Sequence, residues 1–185
     1  MLSVCSLCWS AENVAVAVGS SGQVAPQGGT ATATAIPPSP PSPPSPPARG
    51  PALSLAIKAA EKAISRCQNL DQKVAVSVVD SGGIVRVLLA SDGAAARAVQ
   101  SGTNKALTAL AFKKASSEIG EQIKTDLVLA KEIAANPNYN TRAGGILLQV
   151  RGEIIGAIGV GGARGSEKDE ACAIAGLKEI EGQFD

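Results

Sequence analysis

The chain contains no histidine. That absence excludes Ser-His-Asp and Cys-His catalysis, the imidazole ligands of most zinc and iron sites, and a side-chain proton shuttle near neutral pH. Aromatic residues are almost as scarce. Trp9, Phe112, Tyr139 and Phe184 are the whole set, too few to stack a single strand of bases. Charge is missing from one end: before Arg49 the only charged side chain is Glu12, which leaves 17 basic against 15 acidic residues over 49–185. A net of +2 there is too balanced for a dedicated nucleic-acid binder. No run approaches the roughly 20 apolar residues of a membrane-spanning helix.

Four cysteines are present. Cys5 and Cys8 form a Cys-x-x-Cys with no second pair at similar spacing, which is half of a zinc or redox motif. Cys67 and Cys172 stand alone in helix-like stretches and read as small buried apolar residues. Residues 10–36 are rich in Ser, Gly, Ala and Thr, and 1–36 read as a disordered arm. Residues 37–47 read PPSPPSPPSPP, the three-residue period of a polyproline II rod, so 37–50 is expected to be a stiff linker. MLSVCSLCW is apolar, but no basic residue precedes it, which fits neither a secretory signal nor an Arg-rich presequence. The default expectation is the cytoplasm, with organellar import by the arm left open.

From Pro51 to Asp185 the pattern is that of a domain. LSLAIKAAEKAISRCQN (53–69) places Leu53, Ile57, Ala60 and Ile64 at helical spacing. KVAVSVVD (73–80) and IVRVLLA (84–90) are strands joined at Ser81-Gly82-Gly83, a hairpin. A long Ala-rich helix is expected from Ala94 to about Phe112, and a shorter one over 126–135 before Asn136-Pro137. GGILLQV (144–150) and EIIGAIGV (153–160) make a second hairpin, and SEKDEACAIAGLKEI (166–180) a last helix, started by Ser166 with Asp169 as a capping pair. Hairpins separated by helices argue for an α+β domain with an antiparallel sheet.

The run from Gly152 to Gly162 invites comparison with a phosphate loop. Gly159 and Gly161 begin a G-x-G-x-x-G, but Arg164 stands where the third glycine belongs, and no Gly-Lys-Ser/Thr is present. The preceding strand also belongs to a hairpin instead of a βαβ unit. Gly156 and Gly159 therefore mark close backbone approach within a strand, while a small anion nest at Gly161-Gly162 stays open as an alternative.

VVDSGG (78–83), SDGA (91–94), NKALTALAF (104–112), GGILL (144–148), GEIIGAIGVGGA (152–163) and DEACAIAGL (169–177) occur in order. In motif and spacing they resemble the GlcG/HbpS-like haem-binding family, which also supplies the C-terminal domain of PduO-type corrinoid adenosyltransferases. The resemblance covers about residues 51–180. It implies a profilin-like α/β/α sandwich around a five-stranded antiparallel sheet, commonly assembled into homo-oligomers. The missing fifth strand would fall near 138–143. The chain departs from the family at Ala90, where members often carry Arg, and at Gly161, where a hydroxyl is lost. Lacking histidine, any axial haem ligand would have to come from Cys67, Cys172, Tyr139 or an oxygen or nitrogen donor such as Lys105.

Candidate ligand-binding residues follow from the motifs and from one helix face. Arg97, Ser101, Lys105 and Thr108 form a polar stripe on the long helix, and the family resemblance runs through Asn104, Lys105 and Thr108. Lys105 can hold a carboxylate or propionate, with Thr108 donating a hydrogen bond; the structural alternative is a solvated or subunit-contact face. Asp80 and Asp92 precede turn glycines and suit either chemistry or turn capping. Gly145, Gly161 and Gly162 complete the set. No catalytic or metal-binding residue is assigned. The expected function is binding or sensing of a small molecule of the haem/tetrapyrrole type, without catalysis. A second reading is an enzyme or accessory acting on a small organic acid or corrinoid, and a third is a structural or partner-binding module.

Overall fold

The structure is a computed structural model that describes residues 47–184. The arm at 1–36, the Cys5/Cys8 pair and nearly all of the proline rod lie outside the described residues. In chain order the elements are α1 (Leu53–Gln68), β1 (Ala75–Asp80), β2 (Val85–Ala90), α2 (Ala96–Phe112), α3 (Ser116–Gln122), α4 (Leu127–Ala135), β3 (Gly145–Val150), β4 (Glu153–Gly161) and α5 (Ser166–Ile180). The strands pair antiparallel in the order β2-β1-β4-β3, so the two hairpins meet along β1 and β4. Among the described residues no helix is long and apolar enough to cross a membrane.

Alternation along the strands gives the sheet two unlike faces. One carries Val76, Val78, Val87, Leu148, Ile158 and Val160 and packs under α1 and α5. The other offers Val79 and Ala157 to Ala106 and Ala109 of α2, with Leu107, Leu110 and Leu147 at the margin. Gly159 and Gly161 also lie on this second side. A Cβ at Gly161 would come within 2.6 Å of the Gly102 nitrogen and 2.7 Å of the Ala98 carbonyl. One at Gly159 would meet the Gly102 carbonyl and lie 2.7 Å from the Ala106 nitrogen. The glycines let the backbone of α2 rest directly on β4, which is why Gly102 is tolerated in the middle of that helix.

Several expectations are corrected. The sheet of the described residues has four strands, not five. Residues 138–143 are irregular because side chains take up their backbone groups: Thr108 Oγ1 accepts from the Asn140 N–H at 2.8 Å, and Ser116 Oγ donates to the Arg142 carbonyl at 2.7 Å. The buried stripe of α1 is Ala56, Ala59, Ala60, Ala63 and Cys67, while Leu53 and Ile57 are 55% and 37% exposed. Small residues win that face because α1 lies close to α5, where a Cβ on Gly176 would sit 2.5 Å from the Ala59 carbonyl. Cys67 and Cys172 are not simple apolar residues but a disulfide joining α1 to α5, with Cα atoms 5.6 Å apart. Ser166 does not cap α5. The N-cap is Gly165, without a side-chain cap, and Asp169 turns inward to another partner.

Candidate functional site

The largest charged group in the interior is a lysine. Lys105 projects from the middle of α2 and is 1% exposed, close to the full burial of the core valines. Its ammonium donates to Asp169 Oδ2 at 2.6 Å and to the Val160 carbonyl at 3.0 Å. Asp169, on the first turn of α5, accepts the Ala163 N–H on its other oxygen at 2.9 Å. Burial pushes the Lys105 amine below its ordinary range and the Asp169 carboxyl above its own; the 2.6 Å contact works against both shifts and holds the pair together. Gly144 makes this arrangement possible. Its φ is +127°, and a Cβ there would fall 3.0 Å from the Lys105 ammonium and 2.9 Å from Asp169 Cβ.

The ion pair forms the floor of a cavity of about 420 Å³. Its walls are α2 (Arg97, Ala98, Ser101), the loop residues Asn140 and Arg142, and the segment Gly162–Gly165 before α5. Asn140 Nδ2 donates to Ser101 Oγ at 3.2 Å, closing the wall between loop and helix. Arg97, Arg142 and Arg164 are exposed at the rim, and among the described residues none has a carboxylate partner. Four cations and one carboxylate line the cavity, an excess of three positive charges in its lining, with Glu167 and Glu170 close by. Such a concentration of positive charge in a concave site favours an anionic ligand. A second hollow of about 410 Å³ lies at Ser81, Leu110, Lys113, Gly152 and Ile154. It has a single cation and no buried charge, so the chemistry selects the first.

Residues 52–178 match the family described as haem degrading protein HbpS-like. The chain belongs to the HbpS-like family. Among solved structures, a double mutant of Streptomyces reticuli HbpS is 30% identical with a TM-score of 0.65, over 78% of this chain and 96% of that one. A PduOC:heme complex is 27% identical at the same TM-score, over 71% and 96%. Klebsiella pneumoniae protein ORFY, at 24% identity and a TM-score of 0.68 over 77% and 99%, shares the fold. No curated protein matches.

Within this HbpS-like domain the nine expected site residues divide into three groups. Arg97, Lys105 and Gly162 line the cavity. Asn104, Thr108, Gly145 and Gly161 stand behind its wall. Thr108 Oγ1 donates to the Asn104 carbonyl at 2.7 Å while holding Asn140, and Asn104 accepts from Gln100 at 2.7 Å. Gly145 and Gly161 carry close backbone packing against α2. Asp80 and Asp92 lie outside the cavity lining. Asp80 is a turn carboxylate, accepting the Gly82 and Ile84 N–H groups at 3.0 Å each and facing Arg86 at 3.6 Å; Asp92 is exposed. Asn140, Arg142, Arg164 and Asp169 were missed as site residues. The first three sit in loops with no periodicity to mark them, and Asp169 had a sufficient explanation as the capping partner of Ser166.

Proposed function

We propose that the domain binds a small molecule of the haem/tetrapyrrole type by its carboxylates, in the cavity above Lys105 and Asp169, and has no catalysis of its own. The observation that carries this reading is the set of three rim arginines without carboxylate partners among the described residues. A guanidinium holds a carboxylate by two parallel N–H···O bonds. Membership of the HbpS-like family and likeness to a PduOC:heme complex make propionates the carboxylates to consider first.

Among the described residues, the cavity's side chains fit the propionates and not the iron. The sequence has no histidine, and Cys67 and Cys172 are joined to each other. Tyr139 stacks edge-on against Phe112 with ring centroids 5.1 Å apart and does not line the cavity. The Lys105 amine is engaged by Asp169 and Val160, and the Thr108 hydroxyl by Asn104 and Asn140. Among the described residues no three His, Cys, Asp or Glu side chains cluster as a metal site. Lys105 acts here as half of a fixed, charge-paired floor, with Arg97 and Arg142 making the contacts to the ligand. Self-association, common in the resemblance noted above, would use α4: it buries none of its residues and leaves Leu127 74% and Val128 80% exposed.

Haem titration followed by absorbance tests the reading. Arg142→Ala removes an exposed side chain whose backbone stays held by Ser116, so folding is preserved while affinity falls about tenfold, one charge-assisted contact. Absence of binding, or binding indifferent to both Arg97→Ala and Arg142→Ala, would remove this function from the cavity.

A further inference from the structure

The donor inventory and the charge of the cavity disagree about what a tetrapyrrole would offer this chain. We infer that the site discriminates by carboxylates and is blind to the central metal, so that metal-free tetrapyrroles bearing free carboxylates are ligands as good as haem. The inference rests on the reading of the cavity as the ligand site and goes one step further, to the class of molecule it accepts.

A tetrapyrrole can gain affinity here from two sources, a bond to its metal and contacts to its carboxylates. An iron–ligand bond needs a side-chain lone pair aimed at the metal, and among the described residues each candidate is committed elsewhere or, like Tyr139, stands outside the cavity lining. The thiols of α1 and α5 are spent on each other, the Thr108 hydroxyl holds two backbone groups, and a protonated Lys105 has no lone pair to give. The carboxylates, by contrast, meet Arg97, Arg142 and Arg164 around a floor in which Asp169 neutralises Lys105. Two further donors face the same space, the Ser101 hydroxyl and the Asn140 amide. Nothing in this set senses what occupies the centre of a macrocycle. Each member senses the number and position of anionic oxygens. A tetrapyrrole that has lost its iron keeps those oxygens, and so keeps its affinity.

The test uses the full chain, ferric haem, metal-free protoporphyrin and the dimethyl ester of that porphyrin, each measured by equilibrium dialysis. Expected are dissociation constants for haem and the free porphyrin within about threefold of each other. The ester should bind at least tenfold more weakly, and Arg142→Ala should weaken haem and free porphyrin by the same factor, about tenfold. Haem binding tenfold or more tightly than the free porphyrin would overturn the inference while leaving the cavity as the ligand site. The ester binding as well as the free acid, or equal binding untouched by Arg142→Ala, would overturn it by showing that apolar contact dominates. If neither haem nor porphyrin binds, the proposed function fails and the inference with it.

Discussion

Replacing Asp169 by Asn keeps the side chain's shape and removes its charge, and the consequences can be worked out from the surroundings. The Asn oxygen can still accept the Ala163 N–H, now 2.9 Å from Asp169 Oδ1. Its amide nitrogen would then point at the Lys105 ammonium, donor against donor, where a carboxylate oxygen had stood at 2.6 Å. The two side chains are 1% and 4% exposed, so water does not replace the lost partner. Removing one member of a buried ion pair costs about 3–5 kcal/mol. For a domain of this size that is a fall in Tm of roughly 10–20 °C. The pH dependence has a definite sign. Burial already lowers the Lys105 pKa, Asp169 is the main group opposing the shift, and with only the weaker attraction of Glu170 left against burial and Arg142 the variant's Lys105 titrates lower still. The unfolded lysine keeps its proton to about pH 10.4. Between those values the unfolded chain holds more protons, so the variant gains stability as pH rises. Lys105→Met has the opposite sign. It strands a carboxyl whose pKa burial already raises, the folded state then holds the extra proton, and that variant gains stability as pH falls. Urea unfolding without reductant from pH 5 to pH 10 reads both slopes. A loss under about 1 kcal/mol for Asp169→Asn, flat with pH, would refute a dry ion pair.

Three further outcomes are expected. Gly159→Val forces a branched side chain into the backbone of α2, which cannot yield as a flexible side chain would, so it should cost about 3 kcal/mol or more or prevent folding; soluble protein with an unchanged urea midpoint would contradict the packing described. Opening the Cys67–Cys172 bond, which spans a sequence separation of 105, by reductant or by a double Ser substitution should cost about 2–4 kcal/mol, and identical midpoints with and without reductant would count against the bond. Leu127→Glu with Val128→Glu should reduce the mass measured by light scattering if copies meet through α4, and an unchanged assembly would move the contact elsewhere.

The hairpins were legible because valine-rich alternation and Ser81-Gly82-Gly83 are local signals, and the element order followed from them except for the seven-residue α3, which was not read. The face of α1 was misread because hydrophobic size is a poor guide where two helices nearly touch: alanines go inward there and Leu53 and Ile57 stay out. The family resemblance put a fifth strand near 138–143, but whether a segment joins a sheet depends on who takes its backbone hydrogen bonds, and here Thr108 and Ser116 do so from distant positions. Cys67 and Cys172 carry no mark of their pairing at such a separation. In the site, the stripe Arg97–Ser101–Lys105 was readable from helical periodicity and does line one wall of the cavity. Its burial was not readable, because a lysine amid polar neighbours on a helix reads as solvated until the partner on α5 is known. Arg142 and Arg164 join Arg97 only through the fold.

The claim that a ligand sits in the arginine-rimmed cavity is tested most directly by its footprint on backbone amides. Ferric haem is paramagnetic, and its addition to ¹⁵N-labelled protein broadens the amides nearest to it. The prediction is early loss of the Ser101, Asn140, Ala163, Arg164 and Gly165 signals, with Ser81, Gly152 and Ile154 retained. Loss beginning instead at Ser81, Gly152 and Ile154 would place the ligand in the other hollow and contradict the account.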